Sequence, residues 1–128
     1  MVQKPSARRI DLPQFIDERG DLVFCEAEHH IPFEIKRVFW IVDVPANEMR
    51  AGHAHKKCEQ LVIAVSGGFY VQTDKVDPHA NFHLSDPHEA IYIPAGVYME
   101  LYGFTSDAVC LVLASEHYSE EDYVRQNS

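Results

Sequence analysis

The chain has 128 residues, of which 46% are hydrophobic, and a formal net charge of −9. This size suits one domain over residues 1–128, and the apolar share is too high for a disordered segment. The negative balance excludes tracking of a nucleic-acid backbone, which needs a basic surface. No apolar run approaches the roughly 18 residues of a membrane-spanning helix. Residues 1–10 carry Lys4, Arg8 and Arg9 without an apolar stretch, so no secretory leader is expected and the reading places the protein in the cytoplasm.

In chain order, short runs rich in Val, Ile, Phe and Tyr predict strands at 21–25, 37–43, 60–65, 68–72, 90–93 and 108–114. Between them stand Arg19-Gly20, Val44-Pro45-Ala46-Asn47, Ser66-Gly67-Gly68, Asp77-Pro78, Asp86-Pro87 and Pro94-Ala95-Gly96, all turn chemistry. Many short strands without a 3.6-residue period indicate an all-β sandwich or barrel. Only the tail reads as helical: Ser119 precedes Glu120, Glu121 and Asp122, like a capped helix start with acids on its first turn. A short helix is therefore expected over Tyr118–Arg125. Phe39 and Trp40 are expected in the core. Cys25, Cys58 and Cys110 are scattered, so they form neither a disulfide framework nor a metal pair and read as buried thiols. His29, His30, His79, His83 and His88 lie among turn residues and read as solvated.

The informative stretch is Arg50-Ala-Gly-His53-Ala-His55-Lys-Lys-Cys-Glu59-Gln60, which runs on to Gly67. On a strand, side chains alternate, so His53 and His55 share a face and can converge on one ligand. Imidazoles titrate in the range useful for acid–base work.

This stretch, followed by Pro94-Ala-Gly96, resembles the two cupin motifs. The resemblance implies a jelly-roll barrel with its ligand in the barrel mouth. Metal-binding cupins add a glutamate and a third histidine, but the register puts Gln60 and Met99 at those places. An amide and a thioether are poor partners for most divalent transition metals, and two histidines fall short of the usual three or four protein ligands. No metal and no other cofactor is expected. Whether Glu59 replaces Gln60 is not decided by strand parity.

Four blocks sharpen the likeness: 17–22, 31–38, 50–57 and 113–125. In order and over nearly the whole chain, they resemble the signature blocks of the dTDP-4-keto-6-deoxyglucose 3,4-ketoisomerases. That family implies an isomerase acting on a dTDP-linked sugar for deoxyamino-sugar synthesis, and a homodimer. It implies His53 and His55 as the catalytic pair, with His53 the preferred base. Substrate contacts are expected from Arg19, as a clamp on the diphosphate, and from Arg50, Gln60, Tyr98 and Glu100. Two other readings remain open from the residues: a 3,5-epimerase-type cupin, and a nucleotide-sugar-binding cupin without catalysis.

Overall fold

The computed structural model describes residues 5–124. The strands, all paired antiparallel, are β1 (Arg8–Asp11), β2 (Gln14–Asp17), β3 (Gly20–Val23), β4 (Arg37–Val42), β5 (Arg50–His55), β6 (Gln60–Ser66), β7 (Phe69–Gln72), β8 (Asn81–Leu84), β9 (Glu89–Ile93), β10 (Met99–Tyr102), β11 (Val109–Ala114) and β12 (Tyr123–Val124). One sheet has the order β1-β9-β6-β11-β4, and a second has the order β12-β5-β10-β7-β8. The β2–β3 hairpin forms a ribbon of its own. This is the expected all-β jelly roll.

The centre of the first sheet explains why the sequence reads as continuous apolar runs. From β6, Val62 and Ala64 enter the core between the sheets with Phe69, Val71, Leu84, Ile91 and Val112, while Leu61 and Ile63 pack against Leu12, Ile31 and Phe33. A strand covered on both faces has no polar side to show. At the end of β6, Gly67 turns at φ +61, and a Cβ there would lie 2.4 Å from Thr105 Oγ1. Only glycine fits that corner.

Edge strand β4 alternates cleanly. Phe39 and Ile41 pack against the core, whereas Val38, Trp40 and Val42 are exposed. Trp40 is 64% exposed, which corrects its expected place in the core and follows from strict period-two geometry. Cys58 and Cys110 are buried as expected, and Cys25 is half-buried. His83 lies within β8 and stacks on Tyr70, with ring centroids 4.5 Å apart, so it belongs to a strand rather than a turn.

The tail is the main departure. The helix expected over Tyr118–Arg125 shrinks to a 3-10 turn at Glu120–Asp122, and Ser119 makes no side-chain cap. Arg125 lies outside the described residues. Tyr123 and Val124 instead pair with His55 and Ala54 of β5. The edge of β5 supplies these backbone partners, and Asp122 is claimed by the turn after β5, so local helix chemistry loses to tertiary pairing. Among the described residues no helix is long and apolar enough to cross a membrane.

Candidate active site

One cavity of about 430 Å³ opens between the sheets, and both motif histidines line it. Its other walls include Arg37, Phe39, Ile41, Arg50, Gln60, Met99, Leu101, Tyr118 and Tyr123. The rings of His53 and His55 stand edge to face, 5.1 Å between centroids, as the alternation along β5 dictates.

Arg50 reaches the same cavity through a backbone irregularity. Strict alternation would turn it away from His53. Ala51 and Gly52 both adopt left-handed backbone, at φ 68 and 83, and the β5–β10 register slips between Met99 and Glu100. One extra residue in a strand reverses parity, so Arg50 joins the histidine face. For a non-glycine residue that conformation costs about 1–2 kcal/mol, and such strain clusters at functional sites.

Gln60, 3% exposed, opens β6 and turns its amide side toward the cavity. Glu59 faces elsewhere: its carboxylate accepts the Tyr92 hydroxyl and its N–H donates to Ser115 Oγ. Thus Gln60, not Glu59, stands with the histidines. Met99 is paired in register with His53. Two imidazoles, an amide and a thioether therefore face the space where metal-binding cupins gather three imidazoles and a carboxylate.

The tail closes the site. Tyr123 packs over both histidines, with centroid separations of 4.4 Å to His53 and 4.7 Å to His55. The Asp122 carboxylate lies 3.0 Å from His55 Nδ1 and accepts the Lys57 and Cys58 backbone N–H groups. Burial pushes both histidines below the usual imidazole value. A hydrogen bond to the Ala51 backbone opposes that shift at His53. At His55, Asp122 opposes it while the charges of His53 and Arg37 add to it. Both rings are thus held neutral near pH 7, the state a proton acceptor needs.

Arg37 starts β4 and projects into the cavity. Its guanidinium lies against Phe39 and Tyr118, with its carbon 5.2 and 5.7 Å from the two ring centroids. Its guanidinium meets the Cys58 thiol at 4.0 Å, and among the described residues its buried Nε has no hydrogen-bond partner. Among the described residues no carboxylate pairs with it, and such a cation in a largely apolar cavity suits an anionic ligand.

Three expected contacts lie elsewhere. Tyr98 and Glu100 do not line this cavity; the Tyr98 hydroxyl donates to Glu100 Oε2 at 2.9 Å. Burial, reinforced by Glu100, pushes that hydroxyl up to about 12. Along β10 the inward positions belong to Met99 and Leu101, both buried, so alternation turns Tyr98 and Glu100 away. Arg19, its side chain 86% exposed, pairs with Asp17 at 2.9 Å at the tip of the β2–β3 hairpin. It does not reach the histidines of its own chain. Conversely, Arg37, Asp122 and Tyr123 sit inside the sequence blocks that resemble the ketoisomerases, but neither spacing nor composition marks them as site residues.

A jelly-roll barrel whose mouth is lined by two neighbouring imidazoles, two arginines and apolar side chains is that of a cupin with groups suited to proton transfer and to an anionic organic ligand. Residues 6–128 match the family model described as FdtA: WxcM-like, C-terminal. A TDP-4-oxo-6-deoxy-alpha-D-glucose-3,4-oxoisomerase from Aneurinibacillus thermoaerophilus is 41% identical over 117 residues, 91% of this chain and 84% of that protein. The sugar 3,4-ketoisomerase QdtA from Thermoanaerobacterium thermosaccharolyticum, solved with TDP, superposes with a TM-score of 0.89 at 36% identity, covering 94% and 88% of the two chains. A histidine-to-asparagine variant of QdtA, solved with TDP-4-keto-6-deoxyglucose, gives a TM-score of 0.90 at 35% identity over 97% and 90%. The chain belongs to this family of sugar 3,4-ketoisomerases.

Proposed function

We propose that the protein, acting as one domain, converts TDP-4-keto-6-deoxyglucose to its 3-keto isomer with the histidine pair and without a metal or redox cofactor. The adjacent neutral imidazoles of His53 and His55 in a single cavity carry this reading. The C-3 proton is acidified by the neighbouring C-4 carbonyl. His53 removes it, and the C-4 oxygen gains a proton, giving an ene-diol. Loss of the O-3 proton with reprotonation at C-4 then completes the shift. The sum is an internal exchange of oxidation state, so no external oxidant enters.

His55 stands beside His53 to carry the oxygen protons or to hold the developing oxyanion. Gln60 supplies an amide to a sugar hydroxyl, and Arg50 and Arg37 take the diphosphate. The apolar walls exclude water from the ene-diol. A nucleotide-linked sugar substrate supports a cytoplasmic enzyme of activated-sugar metabolism.

The enzyme acts as a homodimer. Exposed Val38, Trp40 and Val42 on edge strand β4, and exposed Phe15, Ile16 and Leu22 on the unattached β2–β3 ribbon, support this. Such edges are normally covered. Sedimentation at micromolar concentration checks it, and a purely monomeric species excludes it.

Purified protein incubated with TDP-4-keto-6-deoxyglucose, followed by proton NMR, tests the reaction. The expected result is a 3-keto-6-deoxyhexose. Epimerised 4-keto sugar would move the assignment to a 3,5-epimerase, and bound but unaltered substrate would move it to a binding protein.

A further inference from the structure

Asp122 reaches the histidine pair from 67 residues further along the chain. Its side chain is 11% exposed and that of His55 8%. Oδ1 accepts the Lys57 N–H at 2.7 Å, while Oδ2 accepts the Cys58 N–H at 3.1 Å and lies 3.0 Å from His55 Nδ1. The Asp122 carbonyl also accepts the Lys56 N–H at 2.7 Å. Burial alone would raise this carboxyl, but the hydrogen bonds from Lys57, Cys58 and His55 hold it below the usual carboxylate value. It is therefore ionised near neutral pH, with no proton to give. A carboxylate only accepts. The hydrogen between the two groups thus belongs to His55 Nδ1, and in a neutral ring Nε2 is then bare.

We propose that Asp122 is a positioning residue of the ketoisomerase, fixing His55 as the Nδ1–H tautomer so that its bare Nε2 accepts protons in the substrate cavity. Among the described residues no carboxylate pairs with His53, whose imidazole value is instead raised by the Ala51 backbone. The two imidazoles are therefore set by different devices. His55 carries a buried counter-charge that stabilises it whenever it holds a proton in transit, which suits the member of the pair that passes protons between sugar oxygens. The inference rests on the ketoisomerase reading for its catalytic meaning, but the tautomer itself does not depend on turnover.

The geometry also explains the sequence of the tail. Asp122 satisfies the two N–H groups of the turn that leaves β5, so one side chain both closes that turn and orients the ring just before it. A change at Asp122 would disturb the turn as well, so loss of activity alone decides nothing.

The test is ring-nitrogen NMR on full-length protein with 15N-labelled histidine, at a pH above 7. The His55 signals are assigned by their loss in His55→Gln. Wild type is expected to show His55 protonated at Nδ1 and bare at Nε2. Asp122→Asn is expected to move the population toward Nε2–H and to lower kcat about 100-fold, with KM changed only a few-fold. Asp122→Glu, which keeps the charge, is expected to retain the Nδ1–H form and recover part of kcat. An Nε2–H tautomer in wild type overturns the proposal even if Asp122→Asn fails to fold. So does a folded Asp122→Asn with unchanged tautomer and kcat. If the tautomer shifts as expected but wild type does not isomerise the TDP-sugar, the pairing stands and the reaction assignment falls.

Discussion

The ring of Tyr123 lies 4.4 Å from that of His53 and 4.7 Å from that of His55, so the last described strand forms the lid that keeps both imidazoles out of water. Burial is the leading cause of their lowered values, which fixes the sign of the pH response. A histidine depressed below 6.5 adds stability that is fully present above 6.5 and is lost as the pH falls through its folded value. Wild-type kcat/KM is therefore expected to hold down to pH 6.5 and to fall below it. In Tyr123→Ala the rings gain water, and the acid limb is expected to move up toward 6.5. A pH–rate profile of the two proteins checks this. An unmoved limb would mean that Tyr123 does not set their solvation.

Arg37 is predicted to trade stability for binding. Its buried Nε lacks a partner, and an unmet buried donor costs about 1–3 kcal/mol. Arg37→Met is expected to melt at or above the wild-type temperature. A hydrogen bond to a charged group contributes about 1.5–3 kcal/mol, so the affinity for TDP is expected to fall about 10–100-fold. Calorimetric titration with TDP and a thermal melt give both numbers. Unchanged TDP affinity would remove Arg37 from the diphosphate site.

Gln60 gives a direct test of the proposal that the cavity does acid–base chemistry without a metal. It is the cavity-facing member of the Glu59–Gln60 pair. Gln60→Glu would place a carboxylate beside two imidazoles, the ligand trio common in divalent sites. The variant is expected to bind zinc or manganese at least 10-fold more tightly than wild type, by the logic that ligand number sets affinity. Ketoisomerisation is expected to decline as metal occupies the histidines. Equilibrium dialysis against each metal checks this, and equal affinities would show that Gln60 does not occupy the decisive position.

Much of the fold was legible because the strands are short, β-branched and separated by turn residues, and buried β6 announces itself by apolarity on both faces. The histidine pair was legible because period-two alternation needs no long-range information. Parity failed where the backbone departs from it. Arg50 shares the histidine face only because Ala51 and Gly52 are left-handed; Gly52 allows such a departure, but nothing at Ala51 signals it. Parity also had to choose a starting face on β10, and the inward choice is Met99 and Leu101 rather than Tyr98 and Glu100. Asp122 and Tyr123 were hidden for another reason. Their local sequence favours a helix start, and only the unpaired edge of β5, far away in the chain, converts them into a strand that carries site residues. Arg37 stands at the start of β4, where nothing in the local sequence tells which face its side chain takes.

Proton NMR of product formed in deuterated buffer tests the central claim most directly, because an ene-diol route carries its C-4 hydrogen on a group that can exchange with solvent, whereas a direct hydride shift does not. With TDP-4-keto-6-deoxyglucose as substrate, the account predicts a 3-keto sugar carrying deuterium at C-4, its configuration read from the couplings. Exchange confined to C-5 of an unchanged 4-keto sugar, or a 3-keto product still without deuterium at C-4 after prolonged incubation at equilibrium, would contradict it.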